Sequence, residues 1–134
     1  MGTWDIGPFD NDTAADFSYR VDEVPAEKKA EVLRGTFREV TGTGGEYLDA
    51  DLAVEAIASA ALLAAQCPGG EPVTTSYGPK EPLPVLPAEL RPEAVAALDR
   101  VLTEPSELLE LWEESGGEEW KAGVRGLRAV LAGA

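Results

Sequence analysis

Residues 52–65 read LAVEAIASAALLAA, and only Glu55 and Ser59 among them are polar. A helix that is apolar nearly all round is normally a buried one. We therefore expect a central helix from about Asp49 to Cys67, whose many alanines let neighbouring backbones approach closely. The apolar run is too short to span a bilayer, so no membrane association is expected from it.

Five further helices are predicted from apolar residues at helical spacing and from the residues that start and stop helices. A chain of 134 residues suits one hydrophobic core. We therefore predict an all-α, single-domain bundle of about six helices over residues 1–134. The predicted positions of the other five are a start at Asn11, Asp12 or Thr13, then about 25–41, 92–103, 105–115, and from 117 onward.

The connection between the third and fourth predicted helices, residues 68–91, is rich in proline. Such a composition favours extended, polyproline-like backbone without regular structure. Its apolar residues predict that the connection packs onto the helices. These residues are Leu83, Val85, Leu86 and Leu90.

Residues 1–11 are predicted to form an ordered irregular arm, in which Gly7 permits backbone angles closed to other residues. Trp4 and Phe9 are expected to pack onto the helices, since aromatic side chains usually serve as core or interface anchors. Lining a ligand pocket is the alternative. For Trp112 and Trp120, at the seams of the last two helices, core packing is expected as well.

The charge balance excludes several function classes. The chain has 25 acidic and 11 basic residues, a net charge of −14. Binding to nucleic-acid phosphates or to an anionic membrane needs basic patches, whereas a basic protein partner suits such a surface. The sequence is also compatible with a homo-oligomer.

The residue inventory also limits the chemistry. The chain contains no histidine, which excludes Ser-His-Asp, Cys-His and zinc-histidine sites. The single Cys67 is interpreted as a small buried apolar residue, and no cofactor is expected. The first residues lack the basic and long apolar regions of a signal peptide, so a cytoplasmic protein is expected.

An acidic run lies in the last third of the chain and has two interpretations. One is a solvated helix face. The other is a docking surface for a basic protein. Like-charged neighbours on a helix repel one another, and a binding role would explain why they are present. The candidate partner-binding residues are Glu107, Glu110, Glu113, Glu114, Glu118 and Glu119.

Two weaker candidate sites involve other carboxylates. Asp10, Asp12 and Asp16 could hold Ca²⁺ or Mg²⁺, which prefer converging oxygen ligands, although acids at a helix start are also explained by capping and the helix dipole. Glu55 is a lone charge in an apolar helix. It is either a carboxylate with a raised pKa suited to acid–base catalysis or a residue that faces water or pairs with Arg20 or Arg38.

The opening residues, Met-Gly-x-Trp-x-x-Gly-x-Phe-Asp-Asn-Asp, resemble the start of a bacterial family catalogued as a domain of unknown function, DUF4259. The helix around Glu55-Ala56, the segment 106–114 and Trp120 are similar to that family too. The motif residues are Trp4, Gly7, Phe9, Asn11, Asp12, Trp112 and Trp120. The resemblance implies a small, mostly helical bacterial protein, with no established substrate, cofactor or catalytic residue.

Two function classes remain from the sequence. The preferred one is a non-enzymatic acidic binding protein, of the inhibitor, immunity or nucleic-acid-mimic type, that engages a basic partner. The alternative is a hydrolase that uses carboxylates, with or without a divalent metal ion.

Overall fold

Six helices are found in the computed structural model, which describes residues 11–71, 73, 78–81, 83–114 and 116–133. The prediction of an all-α single-domain protein is confirmed. The N-terminal arm with Trp4, Gly7, Phe9 and Asp10 lies outside the described residues, apart from Asn11. The helices are α1 (Asp12–Glu23), α2 (Ala26–Thr41), α3 (Ala50–Ala64), α4 (Leu90–Val101), α5 (Glu107–Glu114) and α6 (Glu118–Gly133).

The apolar helix α3 lies at the centre of the bundle, as its composition predicts. It contacts all five other helices, and its residues from Ala56 to Ala64 are all buried. Ala56, Ala58 and Ala60 have no exposed surface. Because an alanine adds only a methyl group, several helices can pack closely around this one.

Two hydroxyls join α2 to α3 inside the core. The oxygens of Thr36 and Ser59 lie 2.9 Å apart, and Thr36 Oγ1 lies 2.7 Å from the carbonyl oxygen of Leu33. A buried hydroxyl is tolerated when it is hydrogen-bonded. Ser59 is thus a core residue, although it is one of the two polar residues in the apolar stretch.

The start of α1 is capped by Asn11, whose Oδ1 accepts the backbone N–H of Ala14 at 2.8 Å. Thr13, the alternative cap, instead donates to Asp51 on α3 at 3.3 Å. At the other end, the buried Lys29 of α2 donates from Nζ to the carbonyl of Val21 at 2.6 Å. A lysine at this position satisfies a helix-terminal carbonyl that lacks a partner within the helix.

Two predicted helix starts were wrong by two residues. α4 begins at Leu90, so Pro92 lies within its first turn, where the missing N–H of proline has no helical partner to lose. α5 begins at Glu107 and not at Pro105. The reason is that Pro105 and Ser106 pair with another segment: Leu48 N donates to Pro105 O at 3.1 Å, and Glu107 N donates to Leu48 O at 2.9 Å.

The proline-rich connection is held down by two side chains. The amide of Gln66 donates to Pro84 O and accepts from Leu86 N, both at 2.8 Å. The carboxylate of Asp22 accepts the backbone N–H groups of Lys80 and Glu81 at 3.0–3.1 Å. These contacts attach the described part of the connection to α1 and to the residues just after α3.

Of the four apolar residues from which the packing of this connection was predicted, three pack inward and Val85 does not. Leu86 and Leu90 are buried and Leu83 is partly buried against the core. Val85 is 94% exposed, because in extended backbone successive side chains point to opposite sides, and Leu86 takes the inward one.

Candidate functional site

The acidic run is divided between α5, the turn after it and the start of α6. Five of its six candidate glutamates are exposed, and Glu107 is half-buried. Glu107 Oε1 accepts the backbone N–H of Ala50 at 2.8 Å. Asp49, the residue before α3, makes no side-chain cap. Glu107 therefore caps α3 from another helix, and it does not face solvent as the helical pattern suggested.

Glu110 is exposed but also has an internal partner. Its Oε1 accepts the hydroxyl of Tyr47 at 3.2 Å. Partial desolvation raises the pKa of Tyr47, and the hydrogen bond and negative charge of Glu110 raise it further. Glu110 thus attaches α5 to the segment before α3.

The remaining four glutamates surround the turn between α5 and α6. We name them the acidic hairpin end: Glu113, Glu114, Glu118 and Glu119. Lys121 lies beside them, with Nζ 2.8 Å from Glu113 and 3.8 Å from Glu118. One cation thus accompanies four exposed carboxylates.

Two tryptophans support this hairpin. The rings of Trp112 and Trp120 stack with centroids 5.8 Å apart and planes 9° from parallel. Trp120 is buried and Trp112 is half-buried against the core. Gly117 packs closely against the backbone of Trp112, since a Cβ at this position would lie 2.7 Å from the carbonyl oxygen of Trp112. The end of α5 and the start of α6 are therefore closely packed against each other.

Glu55, the weak catalytic candidate, lies beside Arg20 of α1. Arg20 Nη1 is 2.9 Å from Glu55 Oε2, and the Glu55 side chain is 17% exposed. The guanidinium also lies 5.2 Å from the ring centroid of Phe17. The other arginine considered, Arg38, pairs with Glu93 instead. The charge of Glu55 is thus balanced across the α1–α3 seam.

The metal candidates Asp12 and Asp16 lie in the first two turns of α1, and both are exposed. Asp12 is the first helical residue after the Asn11 cap, a position that the helix dipole favours for an acid. Asp10 lies outside the described residues. In the part of the chain that the structure describes, no three His, Cys, Asp or Glu side chains converge as a metal site.

The comparisons with known proteins identify a family. A family model described as Domain of unknown function (DUF4259) matches residues 2–123. The chain belongs to this family. No curated protein and no solved structure matches it significantly. Within the described residues, no helix of this DUF4259 protein is both long and apolar enough to cross a bilayer.

Arg100 of this DUF4259 protein was not singled out from the sequence, although its side chain makes four hydrogen bonds to described residues. Its half-buried guanidinium donates to four backbone carbonyls. Sequence spacing carries no signal for these contacts, because two of the acceptors are more than 50 residues away. The acceptors are Gly44 O at 3.0 Å, Glu46 O at 2.6 Å, Thr103 O at 2.7 Å and Pro105 O at 2.9 Å.

A second missed cluster joins α2 to α4. Arg34 and Arg38 both hydrogen-bond the carboxylate of Glu93, at 3.1 Å and 3.0 Å. Burial alone raises the pKa of Glu93, but the two arginine hydrogen bonds and charges outweigh it, so that the pKa lies below its ordinary value. Arg34 also pairs with Glu31, one turn before it on α2, at 2.6 Å.

Proposed function

We propose that this protein is a non-enzymatic binding protein whose acidic hairpin end engages a basic protein. An inhibitor, an immunity-type protein and a nucleic-acid mimic all fit this description. The observation that carries the proposal is the exposure of four glutamates between residues 113 and 119, two of which pair with Lys121. Opposite charges steer association and select partners, so such a patch favours a cationic surface.

The charge of the rest of the chain supports this choice. The 25 acidic residues outnumber the 11 basic ones. Several of the cations are already engaged in internal ion pairs, including Arg20, Arg34, Arg38 and Arg128. The long-range field of the molecule is therefore negative, and it attracts basic proteins at low ionic strength.

The shape of the patch supports it as well. The stacked Trp112 and Trp120 and the ion pair of Lys121 with Glu113 order the hairpin before any partner arrives. A pre-ordered surface loses less conformational entropy on binding than a flexible one. The proposal takes the protein as bacterial and cytoplasmic, and it involves no cofactor, nucleic acid or membrane.

The test compares three immobilised proteins in an extract of a bacterium that carries the family. They are the wild type, a variant with the four glutamates of the acidic hairpin end changed to Gln, and a control with the same loss of charge elsewhere. The control changes four exposed glutamates outside this region, Glu23, Glu27, Glu39 and Glu46, to Gln.

We expect one basic protein to be retained by the wild type and the control and to be lost with the hairpin variant. Its binding should weaken steeply with added salt, as expected of exposed charges. Equal retention of the basic protein by the two variants would show that binding depends on net charge and not on the acidic hairpin end. Retention of no basic protein by the wild type would refute the proposal.

The alternative, a carboxylate-based or metal-dependent hydrolase, has less support. A catalytic acid or base needs a carboxyl group that is free to exchange protons with a substrate, and Glu55 is committed to Arg20 at 2.9 Å. A thermal-shift screen with Mg²⁺, Mn²⁺ and Ca²⁺ tests the metal version, because a bound ion raises the melting temperature.

A further inference from the structure

We propose that α5 is a latched flap, which leaves the bundle as a unit while the other five helices stay packed. The proposal concerns the protein without a partner, and its test does not depend on whether a basic partner exists. Elements that open locally are those with little buried apolar surface and many exposed polar contacts. Both properties are found in α5.

The apolar attachment of α5 is small. The helix has eight residues, and only Leu108 and Leu109 are buried. Its main helical neighbour is α3, whereas α4 and α6 pack directly on α3 and on each other. The bundle therefore closes without α5. Opening of α5 would uncover the area beneath these two leucines and the face of Trp120 on which Trp112 stacks.

The polar attachment is extensive and lies near solvent. We call it the latch: the hydrogen bonds of Arg100 to Gly44, Glu46 and Pro105, together with Tyr47 to Glu110 and Ala50 N to Glu107. Three of these bonds, to Pro105, Glu107 and Glu110, join α4 or the segment 44–50 to the segment 105–110. The bonds of Arg100 to Gly44 and Glu46 hold the segment 44–50 against α4, so they act on α5 through that segment. When α5 opens, these groups exchange their hydrogen bonds for bonds to water, so the net free energy lost is much smaller than the strength of the bonds themselves. Such bonds define the closed position of α5 while keeping the free energy of opening low.

Ser106, the residue just before α5, destabilises the closed position of the helix. The residue has no exposed surface, and its Oγ makes no hydrogen bond within the described residues. A buried hydroxyl without a partner destabilises the state that buries it. Opening of α5 would let water reach this oxygen, so that the hydroxyl regains in the open state the hydrogen bonds it lacks in the closed state.

The two ends of α5 permit the movement. After the helix come Gly116 and Gly117, with φ of 91° and 20°, and glycine changes its backbone angles at little steric cost. Before it, residues 102–105 lie outside any helix, and the pairing of Ser106 with Leu48 is the fixed point about which α5 turns. Trp112 on α5 stacks on Trp120 of α6, so opening separates the two rings.

Hydrogen exchange of the full chain, read by mass spectrometry, tests the flap. We expect the amides of Glu110 to Glu114 to exchange at least about tenfold faster than those of Ile57 to Leu63, because local opening bypasses global unfolding. Arg100→Gln, which weakens the latch, should speed exchange in α5 by a further factor of about three or more. Exchange in the centre of α3 should change much less in that variant.

Ser106→Ala is the opposing variant. It removes the unpartnered hydroxyl and no hydrogen bond, so exchange in α5 should become slower than in the wild type. Arg38→Gln is the matched control for Arg100→Gln, since Arg38 pairs with Glu93 of α4, which is not a latch residue. The control should leave the exchange of α5 unchanged relative to α3.

Equal exchange rates of α5 and α3 in the wild type would overturn the proposal. So would a Ser106→Ala variant whose α5 exchanges at the wild-type rate. If Arg100→Gln does not fold, Ser106→Ala decides alone. The exciton signal of the stacked tryptophans in circular dichroism gives a second readout, and it should fall in Arg100→Gln while the helical signal is kept.

Discussion

The carboxylate of Glu107 on α5 accepts the backbone N–H of Ala50 at the start of α3, with Oε1 and N 2.8 Å apart. A helix start needs acceptors for its first N–H groups, and they normally come from the residue just before the helix. Here the preceding Asp49 makes no such bond. A residue from a distant helix supplies the acceptor, and the cap also joins α5 to the central helix.

Glu107→Ala should lower the free energy of unfolding by about 1 kcal/mol, the usual effect of losing a helix cap. Glu107→Gln keeps an acceptor oxygen and should lose less. Glu114→Ala is the control, because Glu114 is exposed and its change should stay within about 0.5 kcal/mol. Urea unfolding of the three variants measures these values. A Glu107→Ala variant as stable as the control would contradict the cap.

The pair of Arg20 and Glu55 should show a measurable but small coupling. Their side chains are 56% and 17% exposed, and partly exposed ion pairs contribute about 0.2–1 kcal/mol. A double-mutant cycle of Arg20→Ala and Glu55→Ala isolates this coupling energy in thermal or urea unfolding. A cycle of Arg20→Ala with Glu93→Ala should give no coupling. An equal coupling in both cycles would exclude a specific pair.

Glu93 should make stability depend on pH in the acidic range. Since Arg34 and Arg38 hold its folded-state pKa below the ordinary value of 4.5, the folded state binds this proton more weakly than the unfolded state does. Its contribution is therefore fully present above that ordinary value and is lost as the pH falls through the lower folded pKa. Unfolding free energies measured along this range should decline less steeply in Glu93→Gln than in the wild type.

A wild type and a Glu93→Gln variant with parallel pH profiles would show that the two arginines do not stabilise the ionised carboxylate. Glu39→Gln is the matched control. Glu39 is an exposed residue of α2 next to Arg38 in sequence, and its replacement should leave the profile of the wild type unchanged.

The close packing around α3 should not accept a larger side chain. Ala58 has no exposed surface, and extra methylene groups in a packed core typically cost about 1–3 kcal/mol. Ala58→Leu should therefore lower the unfolding free energy by about that amount. Ala96→Leu, on the exposed side of α4, should have little effect. Similar stabilities for the two leucine variants in urea unfolding would mean that α3 is not closely packed.

The helices and the central position of α3 were predictable because their causes are local. A helix is formed by hydrogen bonds between residues four apart, and its buried face repeats with the same period. The apolar stretch around Ser59 therefore predicted a buried helix, and Asn11 predicted the start of α1. Boundaries shifted where a residue had a distant partner, as Ser106 does with Leu48.

The roles of the individual charged residues depended on contacts between distant parts of the chain. Glu107 and Glu113 look alike in the acidic run, yet one caps a helix 57 residues away and the other pairs with Lys121. Arg100 shows no motif and still binds four carbonyls. Composition and periodicity sufficed for the helices and the excess of negative charge, since both follow from neighbours along the chain. Which carboxylates have internal partners followed from the packing of helices, because a side chain's partners are set by distances in space.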